Sequence, residues 1–195
     1  MSLAKSNQND LGQPAPDFSL PATDGKTYSL NDFADKEVLV ITFTCNHCPY
    51  AQAAKPKLKA MHEKYKDKSI QFVAINPNNA DNFPEDSFDK MKEAANQYPF
   101  PYLRDETQAV AKAYGAVCTP DIFVYNSKRL LSYHGQIDDD RPGLGEVAMN
   151  VMFKKSIKEH GTGAGDLARV LDEILAGNQP GGEQKPAMGC SIKWQ

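Results

Sequence analysis

Apolar positions along the chain fall into two periods. Val38-Leu39-Val40-Ile41-Thr42-Phe43 is continuous, apolar and rich in β-branched side chains, as expected of a central strand covered on both faces. From 49 to 65, Ala51, Ala54, Leu58, Met61 and Tyr65 recur three and four apart and predict a helix with one buried face. Pro49 suits its first turn, and interior Pro56 predicts a kink. Residues 70–75 predict a second buried strand, so strand, helix and strand make a right-handed parallel crossover. Upstream, Asp24-Gly25 predicts a hairpin of two short strands, 18–20 and 27–29.

Residues 76–98 read as an insertion, a polar Asn/Pro/Asp loop followed by a helix with Phe88, Met91, Ala95 and Tyr98 on one side. A helix over 105–114 is predicted with Asp105 as N-cap and Gly115 as terminator. An antiparallel hairpin follows from 122–125 and 130–133. Leu167, Val170, Leu171, Ile174 and Leu175 mark a last amphipathic helix, ended by Gly177. The chain divides into a flexible N-terminus (1–12), one domain (13–177) and a tail (178–195). The start of the tail is Pro/Gly/Gln-rich, and its end offers Cys190, Ile192 and Trp194, with apolar surface to bury.

With 195 residues, 41% hydrophobic and 24% charged, the chain can bury a core without cross-links. A net charge of -3 with scattered lysines supplies no field for nucleic acid. No apolar run nears the roughly 20 residues that span a bilayer. The polar first dozen residues lack the apolar core of a secretion signal and read as cytoplasmic, with a trimmed secretion signal as the alternative. Nothing indicates the oligomeric state.

Four cysteines are too few for a disulfide-stapled scaffold, and the close pair Cys45/Cys48 favours redox or metal chemistry. The pair sits where a buried strand ends and a helix begins. Partial positive charge there stabilises a thiolate, which makes Cys45 the expected nucleophile and Cys48 the resolving thiol. His47 lies between them, either favouring the Cys45 thiolate or standing exposed as a bystander. Thr119-Pro120 precedes a strand, and a cis bond there would present Thr119 backbone groups to an incoming peptide or thiol. Thr44, Asn46, Thr119 and Pro120 are the expected substrate-binding residues. Cys118 and Cys190 are either accessory thiols or buried filler. A zinc site formed by the four cysteines is a minor alternative. Asp138-Asp139-Asp140 could attract a cation or simply be solvated. His62, His134 and His160 are expected at the surface.

The order of elements, with Gly12-Gln13-Pro14-Ala15-Pro16-Asp17-Phe18, Phe100-Pro101-Tyr102-Leu103-Arg104-Asp105 and Val110-Ala111-Lys112-Ala113-Tyr114-Gly115, resembles the redoxin branch of the thioredoxin-like superfamily, covering about 13–176. The fuller pattern Thr44-Cys45-Asn46-His47-Cys48-Pro49-Tyr50, Thr119-Pro120, Asp138 to Gly143 and Gly189-Cys190-Ser191-Ile192-Lys193-Trp194 is similar to one redoxin subgroup. The resemblance implies an α/β thioredoxin-like fold, a central mixed sheet flanked by helices with an N-terminal hairpin and an inserted helix. It also implies thiol-disulfide exchange with protein or small-molecule thiols and no bound cofactor. The alternatives are a peroxiredoxin-like peroxidase with antioxidant action on peroxides, and a non-catalytic redox sensor or metal-binding module. The chain departs from thioredoxins in having Thr44 before Cys45 and no acid in 38–43. Peroxiredoxins carry Thr-x-x-Cys, which fits as Thr42 with Cys45, or with Cys45 replacing the threonine ahead of Cys48. Their late-strand arginine is absent, leaving Arg104 and Arg129 as the nearby candidates.

Overall fold

The computed structural model describes residues 2–7, 11–143, 145–147 and 165–195. The elements run β1 (Leu3–Lys5), β2 (Ser19–Pro21), β3 (Thr27–Ser29), β4 (Val38–Phe43), α1 (Pro49–Lys64), β5 (Ile70–Asn76), α2 (Phe88–Ala94), β6 (Tyr102–Arg104), α3 (Ala109–Tyr114), β7 (Cys118–Thr119), β8 (Asp121–Tyr125), β9 (Leu131–Gly135), α4 (Gly165–Leu175) and β10 (Met188–Ser191). Five strands form a mixed sheet in the order β6-β5-β4-β8-β9. β4 runs parallel to β5 and antiparallel to β8, so it has neighbours on both edges and is fully buried.

Alternation along β4 divides the core in two. Val38 and Val40 face Leu58 and Met61 of α1 and Leu167, Val170 and Leu171 of α4. Leu39, Ile41 and Phe43 face Val110, Ala111 and Tyr114 of α3 and the β2-β3 side, with Phe18 and Leu20. Helix α1 continues through Pro56. No helix among the described residues is long and apolar enough to cross a membrane.

Four expectations need correction. Residues of the supposedly flexible N-terminus form β1, which pairs antiparallel with β10 at Leu3↔Cys190. Asp105 does not cap α3; the N-cap is Gln108, in a left-handed conformation at φ 63°, and Asp105 Oδ2 accepts from the Ala111 N–H at 2.8 Å. His134 is 2% exposed rather than at the surface, with Nε2 2.8 Å from Asp121 Oδ1 and its ring stacked on Phe123; His160 lies outside the described residues. The aspartates at 138 and 140 hold buried Lys57, whose Nζ lies 2.7 Å from Asp138 Oδ1 and 3.4 Å from Asp140 Oδ2, so this acidic trio is partly neutralised from within.

The tail is a strand of a second small sheet, β1-β10-β7. Its register places Cys190 opposite Thr119 and Ser191 opposite Cys118. Ile192 is 3% exposed in the core, whereas Trp194 is 38% exposed, with Lys112 Nζ 5.6 Å from its ring centroid.

Candidate active site

Beyond Phe43, Thr44 N–H still donates to the Ile75 carbonyl at 2.8 Å, so the β4-β5 ladder delivers the chain at a fixed height to Cys45. Helix α1 starts at Pro49, which makes Cys48 rather than Cys45 its N-cap residue. Both sulfurs are buried, and Cys45, Cys48, Tyr50, Ala51 and Cys190 form one small apolar cluster.

The other wall is the Thr119-Pro120 segment, whose peptide bond is cis as expected. Thr119 touches both members of the pair. Its Oγ1 is 3.4 Å from Cys45 Sγ, and its carbonyl accepts from the Cys48 thiol at 3.3 Å. Cys118, the preceding residue on β7, points to the opposite side and donates weakly to the Pro120 carbonyl at 3.7 Å. Burial and the nearby Asp121 carboxyl raise its pKa far above the ordinary thiol value.

The three clustered thiols are electrostatically unequal. Burial disfavours a thiolate on Cys48, but hydrogen bonds from the Cys190 and Cys45 thiols and from the Ala51 and Cys190 N–H groups outweigh it, and its pKa lies well below the ordinary thiol value. The Ala51 contribution is a loose one, because Cys48 makes no regular capping hydrogen bond. The Thr119 carbonyl opposes ionisation, since it accepts the proton of the thiol form. Burial and donation to Cys48 raise Cys45 well above the ordinary value; donation to Cys48 and burial do the same to Cys190. These donors favour a thiolate on Cys48 over one on Cys45 or Cys190.

The remaining site residues are held by the segment that reads in sequence as a plain insertion. Its turn Pro84–Asp86 places Asp86 under the Cys45/Cys48 loop, fully buried. Asp86 Oδ1 accepts the Asn46 N–H at 2.7 Å, and Oδ2 accepts from Asn78 Nδ2 at 2.7 Å and pairs with His47 Nδ1 at 2.6 Å. The His47 ring is stacked on Phe83. Burial would lower the His47 pKa, but Asp86 raises it overall, and the same contact keeps Asp86 below its ordinary value despite burial. His47 is therefore held by a carboxylate rather than standing free beside the sulfurs. Asn46 also donates to the Glu85 carbonyl and accepts from Tyr102 OH, while Thr44 Oγ1 lies 3.2 Å from Tyr98 OH. Sequence reasoning missed Asp86, Asn78, Tyr98 and Tyr102, since none is near the cysteines along the chain.

Cys45 Sγ, a His47 ring nitrogen and an Asp86 oxygen lie within 4.8 Å of one another, a ligand set that could hold a cation. His47 Nε2 has no hydrogen-bond partner among the described residues. Arg104 is committed to backbone carbonyls, with Nη1 2.7 Å from Asn78 O, and Arg129 holds the Phe33 and Lys36 carbonyls. Beside the cysteine cluster, a small groove of about 40 Å³ is lined by Tyr50, Lys57, Pro120, Arg141 and Met188, among others.

Residues 11–134 match the model of the AhpC/TSA family. The structure of an uncharacterized conserved protein from Geobacillus kaustophilus is similar at 40% identity and TM-score 0.88, over 100% of this chain and 97% of that one. The thiol-disulfide oxidoreductase ResA of Bacillus cereus is 26% identical over 63% of this chain and 67% of its own length. The chloroplastic peroxiredoxin Q of Populus jackii is 30% identical over 53% of this chain and 46% of its own.

Proposed function

The chain belongs to the AhpC/TSA family, and we propose that within it the protein is a thiol-disulfide oxidoreductase in which Cys45 and Cys48 cycle between dithiol and disulfide. The observation that carries this reading is a pair of buried cysteines packed together at the start of α1 against Thr119, whose hydroxyl contacts Cys45 and whose carbonyl contacts Cys48. The thiolate position favours Cys48, rather than the Cys45 expected from sequence, as the attacking sulfur. It attacks one sulfur of a partner disulfide, the other partner sulfur leaves as a thiolate, and a mixed disulfide with Cys48 results. Cys45 then loses its proton and attacks Cys48, forming Cys45-Cys48 and releasing the second partner thiol; the reverse sequence reduces the pair. Thr44, Asn46, His47 and Asp86 set the shape and charge of the loop. Thr119 and Pro120 form the wall along which a partner lies. A cytoplasmic location is part of this proposal, and cell fractionation tests it.

A second reading is favoured by the same Cys48 thiolate and by the peroxiredoxin relative: a peroxidase in which Cys48 reduces a hydroperoxide to an alcohol and becomes a sulfenic acid, which Cys45 resolves with loss of water. The commitment of Arg104 and Arg129 to backbone carbonyls weighs against it. Reduced protein is mixed separately with glutathione disulfide and hydrogen peroxide, and products are mapped by mass. The oxidoreductase reading expects faster reaction with the disulfide and a Cys45-Cys48 product. Faster reaction with peroxide through a trapped Cys48 sulfenic acid establishes the peroxidase instead.

A further inference from the structure

The tail strand β10 lies against the Thr119 wall of the site. Its register sets Cys190 across from Thr119, the residue that touches both Cys45 and Cys48. Cys190 is 3% exposed and packed in the same cluster as the pair. Gly189 shows how close the approach is: a Cβ there would fall 2.0 Å from the Thr119 carbonyl oxygen, which no side chain tolerates. Two further attachments hold the strand, β1 on its other edge and buried Ile192 after it. The tail thus brings a thiol, in an extended segment, to the place where the oxidoreductase reading would put a partner's cysteine.

Resting on that reading, we infer that Cys190 is a third redox thiol of the centre, an internal substrate that exchanges with Cys45 for Cys48. In the oxidised chain the step is an isomerisation: deprotonated Cys190 attacks Cys48, the Cys48-Cys190 bond forms, the Cys45-Cys48 bond breaks, and Cys45 leaves as a thiolate that takes up the proton lost by Cys190. No outside oxidant enters this step. When Cys48 carries a partner as a mixed disulfide, the same attack releases the partner thiol. Cys118, facing away from the cluster, takes no part.

The test uses the full chain with glutathione disulfide as the probe. Cys45→Ser should release two glutathione thiols per chain, one as Cys48 is glutathionylated and one as Cys190 resolves it, and mapping should find Cys48-Cys190. Cys45→Ser/Cys190→Ser should release one and retain glutathione on Cys48. Gly189→Ala in the Cys45→Ser background, by pushing β10 away from Thr119, should slow the second release at least about tenfold, the loss expected when a reacting group is misplaced by about 1 Å. Oxidised wild type should contain both Cys45-Cys48 and Cys48-Cys190, which keeps the test decisive if the Cys45 variants fold poorly. Cys45→Ser arrested at the Cys48-glutathione stage with Cys190 still alkylatable, or only Cys45-Cys48 in wild type, overturns the third-thiol assignment and leaves the oxidoreductase reading standing. Wild type that forms no Cys45-Cys48 bond overturns the oxidoreductase reading itself.

Discussion

Replacing His47 by Ala isolates the ion pair under the cysteine loop. Asp86 keeps the Asn46 N–H and Asn78 Nδ2 but loses the imidazolium at 2.6 Å. Loss of a charge-assisted hydrogen bond at a buried carboxylate costs about 1.5–3 kcal/mol, and the lost stacking on Phe83 about 0.5–1.5 kcal/mol. The variant should therefore be about 3 kcal/mol less stable, which at about 2 kcal/mol per molar urea moves the unfolding midpoint down by about 1.5 M. Adding Asp86→Asn removes the stranded charge, so the two substitutions together should cost less than the sum of the singles, with a coupling of about 1.5 kcal/mol or more.

The pair also predicts a pH window. The His47 pKa is raised in the folded state by Asp86 against its burial, so its stabilisation is fully present below about 6.5 and is lost as pH rises through the raised value. The Asp86 pKa is lowered by His47, Asn78 and the Asn46 N–H against its burial; its stabilisation is present above about 3.9 and lost as pH falls through the lowered value. Urea titrations of wild type and variant across about pH 3 to 9 should show the widest gap between these limits. A flat gap, or one under about 1 kcal/mol throughout, the size of an ordinary neutral hydrogen bond, refutes the ion-pair account.

Three other outcomes are expected. Iodoacetamide at mildly acidic pH should modify Cys48 before Cys45 in reduced protein, read by peptide mass; labelling in the opposite order would remove the thiolate from Cys48. Lys57→Met, which strands Asp138 beside a nearly inaccessible position, should lose about 2–4 kcal/mol in urea unfolding, whereas Lys90→Ala, in an exposed pair with Glu93, should change stability by at most about 0.5 kcal/mol; equal losses would refute the buried role. Ile192→Ala should cost about 2–4 kcal/mol and make Cys190 more accessible to alkylation, while Trp194→Ala should do neither to a comparable degree.

Four strands of the central sheet were legible because their information is local; the three-residue edge strand β6 was not. The β-branched run of β4, the three-and-four spacing of α1 and the period of α4 each specify an element within one window. The β1-β10-β7 sheet is different. Cys118 and Thr119 pair with residues some seventy positions later, and a two-residue strand beside a Gly-Cys segment carries no alternation to read. The loop beneath the site was hidden for another reason. Asn76, Asn78 and Asp86 have the composition of an exposed turn, yet they are buried because each satisfies a polar group of another: Asn76 Oδ1 accepts from the Asn78 N–H, and Asn78 donates to Asp86. Mutual satisfaction of this kind depends on three-dimensional closure. Asp121-His134 eluded sequence reading similarly, a buried acid on the strand beside β4 rather than on β4 itself.

The preference for Cys48 in the proposed mechanism is in keeping with where α1 begins. A proline at its first position has no N–H, so the first helical donors come from Tyr50 and Ala51, and these lie beside Cys48, not Cys45. His47, the residue best placed in sequence to bias the pair toward Cys45, is bound by Asp86. The helix start thus favours a thiolate on the second sulfur, and Cys190 adds another donor from the tail. A Cys-x-x-Cys spacing states only that two sulfurs can meet. In the proposed mechanism their order of reactivity follows from the start of the helix, the loop beneath it and a strand from the far end of the chain.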